Sequence, residues 1–496
     1  METAIWWARN DLRLHDNAAL AAAADADRLL PVYAVDPRAY GEQPYGGSDS
    51  FTFEKTGPDR AQFLKESVDD LAQSLETDGS GLLVREGRPE DVLAAAADAV
   101  DADTVHFQTL TAPEEVATAG AVTARLAEND VGTERHWTHT LHHVDDLPAG
   151  VDGVDDTFTP FRQAVESGSR VRDPLEVPDL PDLPELDGLP QRGDDALGSF
   201  PALEQLGLER PTDDDRGVLQ FEGGESAGKA RLEKYVWDGD HLREYKQTRN
   251  GLLGANYSSK LSPWLATGSL SPRYVAAEVD RYERERVENE STYWLVFELR
   301  WRDFMAFQVA KHGGHFFARE GIRERTDIDW RDPACDADAA AQFERWCAGQ
   351  TGIPFVDANM RELNETGYMS NRGRQNAASF LANNLRIDWR RGAAYFETQL
   401  VDFDPCSNYG NWAYVAGVGN DSRNNYFDIV EQARKYDGDG EYTRAWLPEL
   451  SGLPADATHE PWELSETQQQ VYSVELGVDY PEPMVDLEAT YEKFGR

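Results

Sequence analysis

The chain has 496 residues, of which 40% are hydrophobic and 10% aromatic, so it can build two domains with sizeable cores and is not a disordered chain. Its formal charge is −43 and the excess acid is dispersed along the whole length, which reads as solvation in a salt-rich cytoplasm, as in a halophile. Such a surface does not exclude nucleic acid, because a local basic patch is enough to bind it.

Cys335, Cys347 and Cys406 form neither a CxxC pair nor an even framework and read as reduced, buried thiols. No run approaches the roughly 18 apolar residues of a membrane helix, and the opening METAIWWARNDLR reads as a strand rather than a signal peptide. The expectation is a cytoplasmic monomer with no membrane partner.

In chain order, TAIWWA, LLPVYAVD, GLLVREG, DTVHFQT and ERHWTHTLH alternate with helical segments such as EDVLAAAADAV. That pattern predicts an α/β domain over residues 1–145, a parallel sheet wrapped by helices on both faces. Ligands in such sheets sit at the carboxyl ends of strands, here carrying Arg9, Asn10, Asp11 and Arg13, then Glu86, Gly87 and Arg88. No GxGxxG follows the first strand, so a dinucleotide in the usual Rossmann position is not supported. His139 and His143 are four apart, but on a strand that spacing holds them too far apart for one metal, and no metal site is expected.

Residues 146–215 turn rich in Asp, Pro and Gly and read as a long surface linker, with Phe158, Phe161 and Val165 at helical spacing for docking on a domain. Residues 216–475 lose strand signals and predict an all-helical second domain, followed by a short acidic tail over 476–496.

Several stretches of the second domain carry chemistry. Ser258, Ser259, Lys260, Leu261, Ser262 and Pro263 suit a phosphate, because Ser262 as N-cap and Pro263 as first helical residue bring free amides to a positive helix end; they read equally as a well-capped helix. Glu298 and Arg302 lie one turn apart beside Trp301 on a face shared with Trp294, which is either an ion pair on the surface or a ligand-lined wall. Over residues 367–391 Arg372, Arg374, Arg386, Arg390 and Arg391 outnumber Asp388, so phosphates are the expected partner, while one arginine could instead pair with Asp402 or Asp404. Asn371, Arg374, Gln375 and Ala378 share one helical face. Finally, Asp402–Tyr414 packs two carboxylates, an amide and aromatic rings into a stretch that Pro405 and Gly410 are expected to keep from forming one regular helix, a cradle for a planar heterocycle.

Taken together, WARNDLRLHDN, YSSKLSPWLATGSLSPR, FELRWRDF, TGYMSNRGRQNAASFL and DFDPCSNYGNWAYVAGVGND resemble the photolyase and cryptochrome family, specifically its DASH-type cryptochromes, over nearly the whole chain. The resemblance implies an α/β antenna domain, a linker and a helical domain holding folded FAD. Tyr245, Ser258, Ser259, Leu261 and Ser262 would line its diphosphate and ribityl part. Arg374 would pair with Asp402, Asp404 would face the flavin edge, and Asn408 would sit against the reactive ring nitrogen, with Glu298, Arg302 and Asn371 completing the surroundings. Trp412, Trp389 and an outer tryptophan, Trp330 in preference to Trp346, resemble the chain that supplies electrons to the flavin.

The resemblance also implies light-driven splitting of cyclobutane pyrimidine dimers, with Glu298, Trp301, Asn371, Arg372, Gln375 and Tyr414 facing the DNA. Duplex-repairing members carry Met and Trp where this chain has Gln375 and Tyr414, so single-stranded DNA is the expected substrate; a photoreceptor that binds DNA without efficient repair is the alternative. Folate-binding DASH members carry Glu where this chain has Leu110, which leaves folate, a deazaflavin or no antenna chromophore open.

Overall fold

The structure is a computed structural model that describes residues 1–46, 51–186, 197–420 and 426–492. Its first domain is a five-stranded, all-parallel sheet in the order β5-β2-β1-β6-β7. The strands are β1 Thr3–Trp7, β2 Arg28–Val35, β5 Leu83–Glu86, β6 Thr104–Gln108 and β7 Gly132–His136; β3 Glu42–Pro44 and β4 Thr52–Glu54 form a separate antiparallel pair. Central β1 is buried at every position, as a strand covered on both faces requires. Ile5 and Trp7 pack with Phe107 beneath the helices Pro89–Val100 and Pro113–Ala127, while Trp6 and Leu12 join the core under Pro58–Thr77.

The last strand is shorter than the sequence pattern suggests. β7 stops at His136, and the backbone N–H groups of Leu141 and His142 are instead taken by the Asp303 carboxylate, each at 2.8 Å. That carboxylate sits on the long helix Glu290–His312, so a residue of the second domain pulls the segment off the sheet. Burial pushes the Asp303 pKa up to about 7 against these two hydrogen bonds.

The polar residues after β1 are used structurally. Arg9 donates to the carbonyls of Gln108 and Glu115, and Arg13 donates to Gly268 O at 2.6 Å. Asp16, fully buried, pairs with Arg273, so charged contacts tie the sheet domain to the helical one.

The linker expectation holds a docked helix, Phe158–Gly168, whose Phe158 and Phe161 pack on Phe304 of the long helix. Further on, Leu29 N–H donates to Asp182 O at 3.2 Å, laying this segment along β2. The end of the chain is not a loose acidic tail. Tyr480 is 1% exposed and donates to Asp357 Oδ2 at 2.5 Å, and Leu487 packs into the largest helical core.

Candidate functional site

Asp402–Tyr414 differs from its sequence reading in one respect: Pro405–Val415 is a single regular helix. Pro405 starts it rather than breaking it, because proline at the first turn loses no intrahelical bond, and Asp404 caps it by accepting from Ser407 N at 2.6 Å. Gly410 is needed inside the helix because a Cβ there would come within 2.5 Å of Met305 Sδ. The same crowding holds at Gly392, where a Cβ would collide with the Trp412 ring.

This helix and the helix Asn371–Ser379 line one cavity, walled by Asn371, Arg374, Gln375, Asp402, Asp404, Asn408 and Trp412. Arg374 Nη2 lies 2.9 Å from Asp402 Oδ2, and its Nε donates to Met369 O. Burial lowers the Arg374 pKa, and Asp402 outweighs that effect, so the guanidinium stays charged. The other Asp402 oxygen is buried with no hydrogen-bond partner among the described residues. Asn408 Nδ2 donates to Ala393 O at 2.9 Å, which orients the amide and leaves its carbonyl oxygen as the acceptor.

At Ser258–Ser262 the helix begins at Ser262 itself, Leu261 is the cap residue, and no side chain caps it. The serine loop is held from below by Arg231, whose guanidinium reaches the carbonyls of Ala255, Ser258 and Ser259 and the Asn256 amide. Lys260 sits at φ +55° with its amine 3.0 Å from the centre of the Tyr257 ring, buried and without a hydrogen-bond partner among the described residues. Burial, with Arg231 adding to it, pushes the Lys260 pKa down to about 6. Neither Arg231 nor the buried state of Lys260 was legible beforehand; the only signal was a pair of basic residues near a serine-rich turn. Tyr245 is buried nearby at the start of a short helix.

The Glu298 and Arg302 pairing is overturned. Glu298 pairs with Arg249, which also stacks over Trp294 at 4.4 Å. Burial raises the Glu298 pKa and Arg249 opposes the rise. Arg302 donates to the carbonyls of His139, across the domain boundary, and of Leu265, within the helical domain, and these bonds outcompete a helical neighbour. Trp301 gives one face to Phe158 of the linker helix, with ring centroids 3.6 Å apart and planes 7° apart.

The arginine-rich stretch is likewise not a free cationic face. Arg374 pairs with Asp402, Arg390 with Asp388 and Arg391 with Asp332. Arg372 bonds Gln375 and lies 4.4 Å over Tyr436. Tyr414 is half-buried on the same helix as Asn408.

Trp412, Trp389, Trp330 and Trp346 are all buried. Trp346 meets Trp412 edge to face at 6.1 Å, whereas Trp330 and Trp389 share Arg319: its carbonyl accepts from Trp389 Nε1 at 3.1 Å and its Nη2 donates to Trp330 O at 2.8 Å. Trp346 Nε1 is tied to Ala377 O, and its side chain is 0% exposed, sealed from solvent.

A second cleft of about 300 Å³ lies between the domains, lined by Tyr40, Tyr45, Lys55, Arg60, Glu115 and Tyr409 among others. Lys55 bridges Glu114 and Glu397 there, and Leu110 is not among its lining residues. His139 and His143 have separate partners: the first lies against Trp137 with the rings tilted by 44°, and the second accepts from Asp145 N.

An unpaired carboxylate oxygen, an oriented amide oxygen and a tryptophan around one cavity fit a planar ring that offers N–H donors, which the flavin of FAD does. Fold and site together define a flavoprotein with an α/β domain ahead of a helical flavin domain. The comparisons agree: residues 294–496 match the FAD binding domain of DNA photolyase, and residues 4–182 match DNA photolyase. The chain belongs to the photolyase and cryptochrome family, within its DASH cryptochromes. It is 57% identical to Cryptochrome DASH of Natronomonas pharaonis, over 99% of this chain and 100% of that one. The crystal structure of the Synechocystis cryptochrome superposes with a TM-score of 0.92 at 45% identity, covering 99% of this chain and 98% of that one. An archaeal photolyase from Sulfolobus tokodaii, solved with two FAD molecules, superposes with a TM-score of 0.76 at 26% identity, covering 99% and 100%. Among the described residues, no helix is long and apolar enough to cross a membrane.

Proposed function

We propose that this protein is a light-driven lyase that splits cyclobutane pyrimidine dimers in single-stranded DNA, acting as a monomer in the salt-rich cytoplasm of a halophile. Bound FAD would supply the light-absorbing electron donor. Arg374 and Asp402 fix the charge balance beside it, Asn408 presents an acceptor to its reactive edge, and the serine loop over Arg231 receives its diphosphate and ribityl part. Trp412 and Trp389, with Trp330 as the outer member, carry electrons inward. Trp330 is preferred over Trp346 because Arg319 links it to Trp389 and it keeps 5% exposure, whereas Trp346 is 0% exposed. The inter-domain cleft is the place for an antenna chromophore, whether folate, deazaflavin or another ring.

The single observation that carries the substrate reading is the polar Gln375 on the cavity wall, with Arg390 and Arg391 of the same arginine-rich stretch bound to internal acids; Tyr414 lies on the same helix as Asn408 but is not among the residues lining that cavity. Extruding a dimer from a duplex costs a few kcal/mol, and stacking on an aromatic wall returns about 1–3 kcal/mol. A polar Gln and a smaller Tyr return less, and few free cations remain to grip a duplex backbone. Single strands avoid most of that cost.

A photoreceptor that binds DNA without efficient repair is the second reading. It is favoured by the Glu298 pair with Arg249 and by the covered face of Trp301, since both residues must be released to meet a dimer. The deciding experiment measures blue-light repair of dimers in single-stranded and duplex DNA at one salt concentration with reductant present. Repair of single strands well above duplex, with Tyr414→Trp narrowing the gap, supports the lyase. Equal repair of both ends the single-strand reading, and no repair of either leaves the photoreceptor.

A further inference from the structure

A cluster of ligating side chains lies on the sheet, far from the flavin domain chemistry. β6 and β7 pair in parallel with His106 opposite Glu134, and His136 follows two residues on, so Glu134 and His136 point to the same face as His106. His106 Nδ1 is 3.3 Å from His136 Nε2 and 3.7 Å from Glu134 Oε2. All three ligand atoms fall within 4.8 Å of one another, the one such group among the described residues.

These separations match a shared ion. Two nitrogens each about 2.05 Å from a tetrahedral metal are about 3.3 Å apart, and a carboxylate oxygen at about 2.1 Å widens that only slightly. Both donor types suit a divalent first-row transition metal, imidazole and carboxylate together being borderline ligands rather than the all-oxygen set of calcium or magnesium. The carboxylates of Glu2 and Asp25 act on His106 as well, adding negative potential around the triangle.

We propose that His106, His136 and Glu134 bind one divalent transition-metal ion, with water completing a tetrahedral shell, and that this ion clamps edge strand β7 to β6. The strand gains from such a clamp because it has one neighbour and a polar sequence, GTERH, with no fully buried position. The same contact without metal is one N–H···N hydrogen bond between the two imidazoles, with the Glu134 carboxylate 3.7 Å from His106 Nδ1.

Zinc separates the two cases. Full-length, flavin-loaded protein is stripped with chelator, returned to concentrated KCl to suppress weak binding by the acidic surface, and titrated with ZnCl₂ by calorimetry and by melting temperature. The expected result is one equivalent bound and a raised melting temperature. His136→Gln and Glu134→Gln, both at solvent-reachable positions, should raise the Kd about tenfold or more, as loss of a ligand does. His143→Ala, in the same histidine-rich stretch but outside the triangle, should bind as the parent does. Retained flavin absorbance shows that each variant is folded. Absence of stoichiometric zinc in the parent, or parental affinity in both His136→Gln and Glu134→Gln, overturns the site.

Discussion

Arg374 holds Asp402 through a single Nη2–Oδ2 contact of 2.9 Å, so the second Asp402 oxygen is left buried beside the cavity with no hydrogen-bond partner among the described residues. The pair therefore has two roles, neutralising a buried charge and presenting an acceptor. Removing one partner of a buried pair is the costly change. Arg374→Met strands the carboxylate and should destabilise the protein by about 3 kcal/mol, read from denaturant melts. Asp402→Asn keeps the shape and should chiefly lower flavin content, read from the ratio of flavin to protein absorbance.

Asn408→Asp should impair full reduction of the flavin more than its binding. It replaces an amide with a carboxylate beside a ring that becomes anionic on full reduction, and it also exchanges the donor to Ala393 O for a repelling oxygen. Equal extents of photoreduction in variant and parent, at the same pH, would mean that Asn408 has been misplaced.

Trp412→Phe should retain FAD yet slow photoreduction markedly, because phenylalanine keeps the packing and is much harder to oxidise. Trp330→Phe should do the same from the outer end. Trp346→Phe loses a hydrogen bond worth about 1 kcal/mol but should leave the photoreduction rate near that of the parent, since its ring is fully buried as an outer member should not be. Transient absorption under one light dose ranks the three; a larger effect at Trp346 than at Trp330 would reverse the assignment.

Lys260 carries a pH signature. Its folded pKa of about 6 lies below the ordinary lysine value of about 10.4, so between those limits the unfolded chain holds an extra proton here and stability rises with pH. Lys260→Met removes a buried amine that lacks a hydrogen-bond partner. It should stabilise the flavin-free protein by about 1–3 kcal/mol at pH 7 and flatten the pH slope of its melting temperature. A variant that melts lower than the parent with an unchanged slope would show that this amine is charged and paired in the folded state.

Much of this protein is legible from residue order because the signals are local. Continuous apolar runs such as TAIWW make central parallel strands whatever their neighbours, and the motifs around Arg374, Asp402 and Asn408 bring together residues that the structure places round one cavity. Pro405 starts a helix instead of breaking one for an equally local reason, since a proline that breaks a helix interior is favoured at its first turn. What only the tertiary structure decides is which partner each charge and each backbone amide takes. Glu298 and Arg302 sit one turn apart, yet Glu298 pairs with Arg249 and Arg302 with the carbonyls of Leu265 and, across the domain boundary, His139, because a short-range ion pair gains little against a buried, oriented alternative. The end of β7 is set by Asp303, 162 residues beyond the Leu141 amide it accepts from, and the meeting of His106 with His136 is set by strand register rather than by spacing within one segment. Such contacts depend on which elements pack face to face, and that is fixed by burial of the whole core rather than by any stretch of sequence.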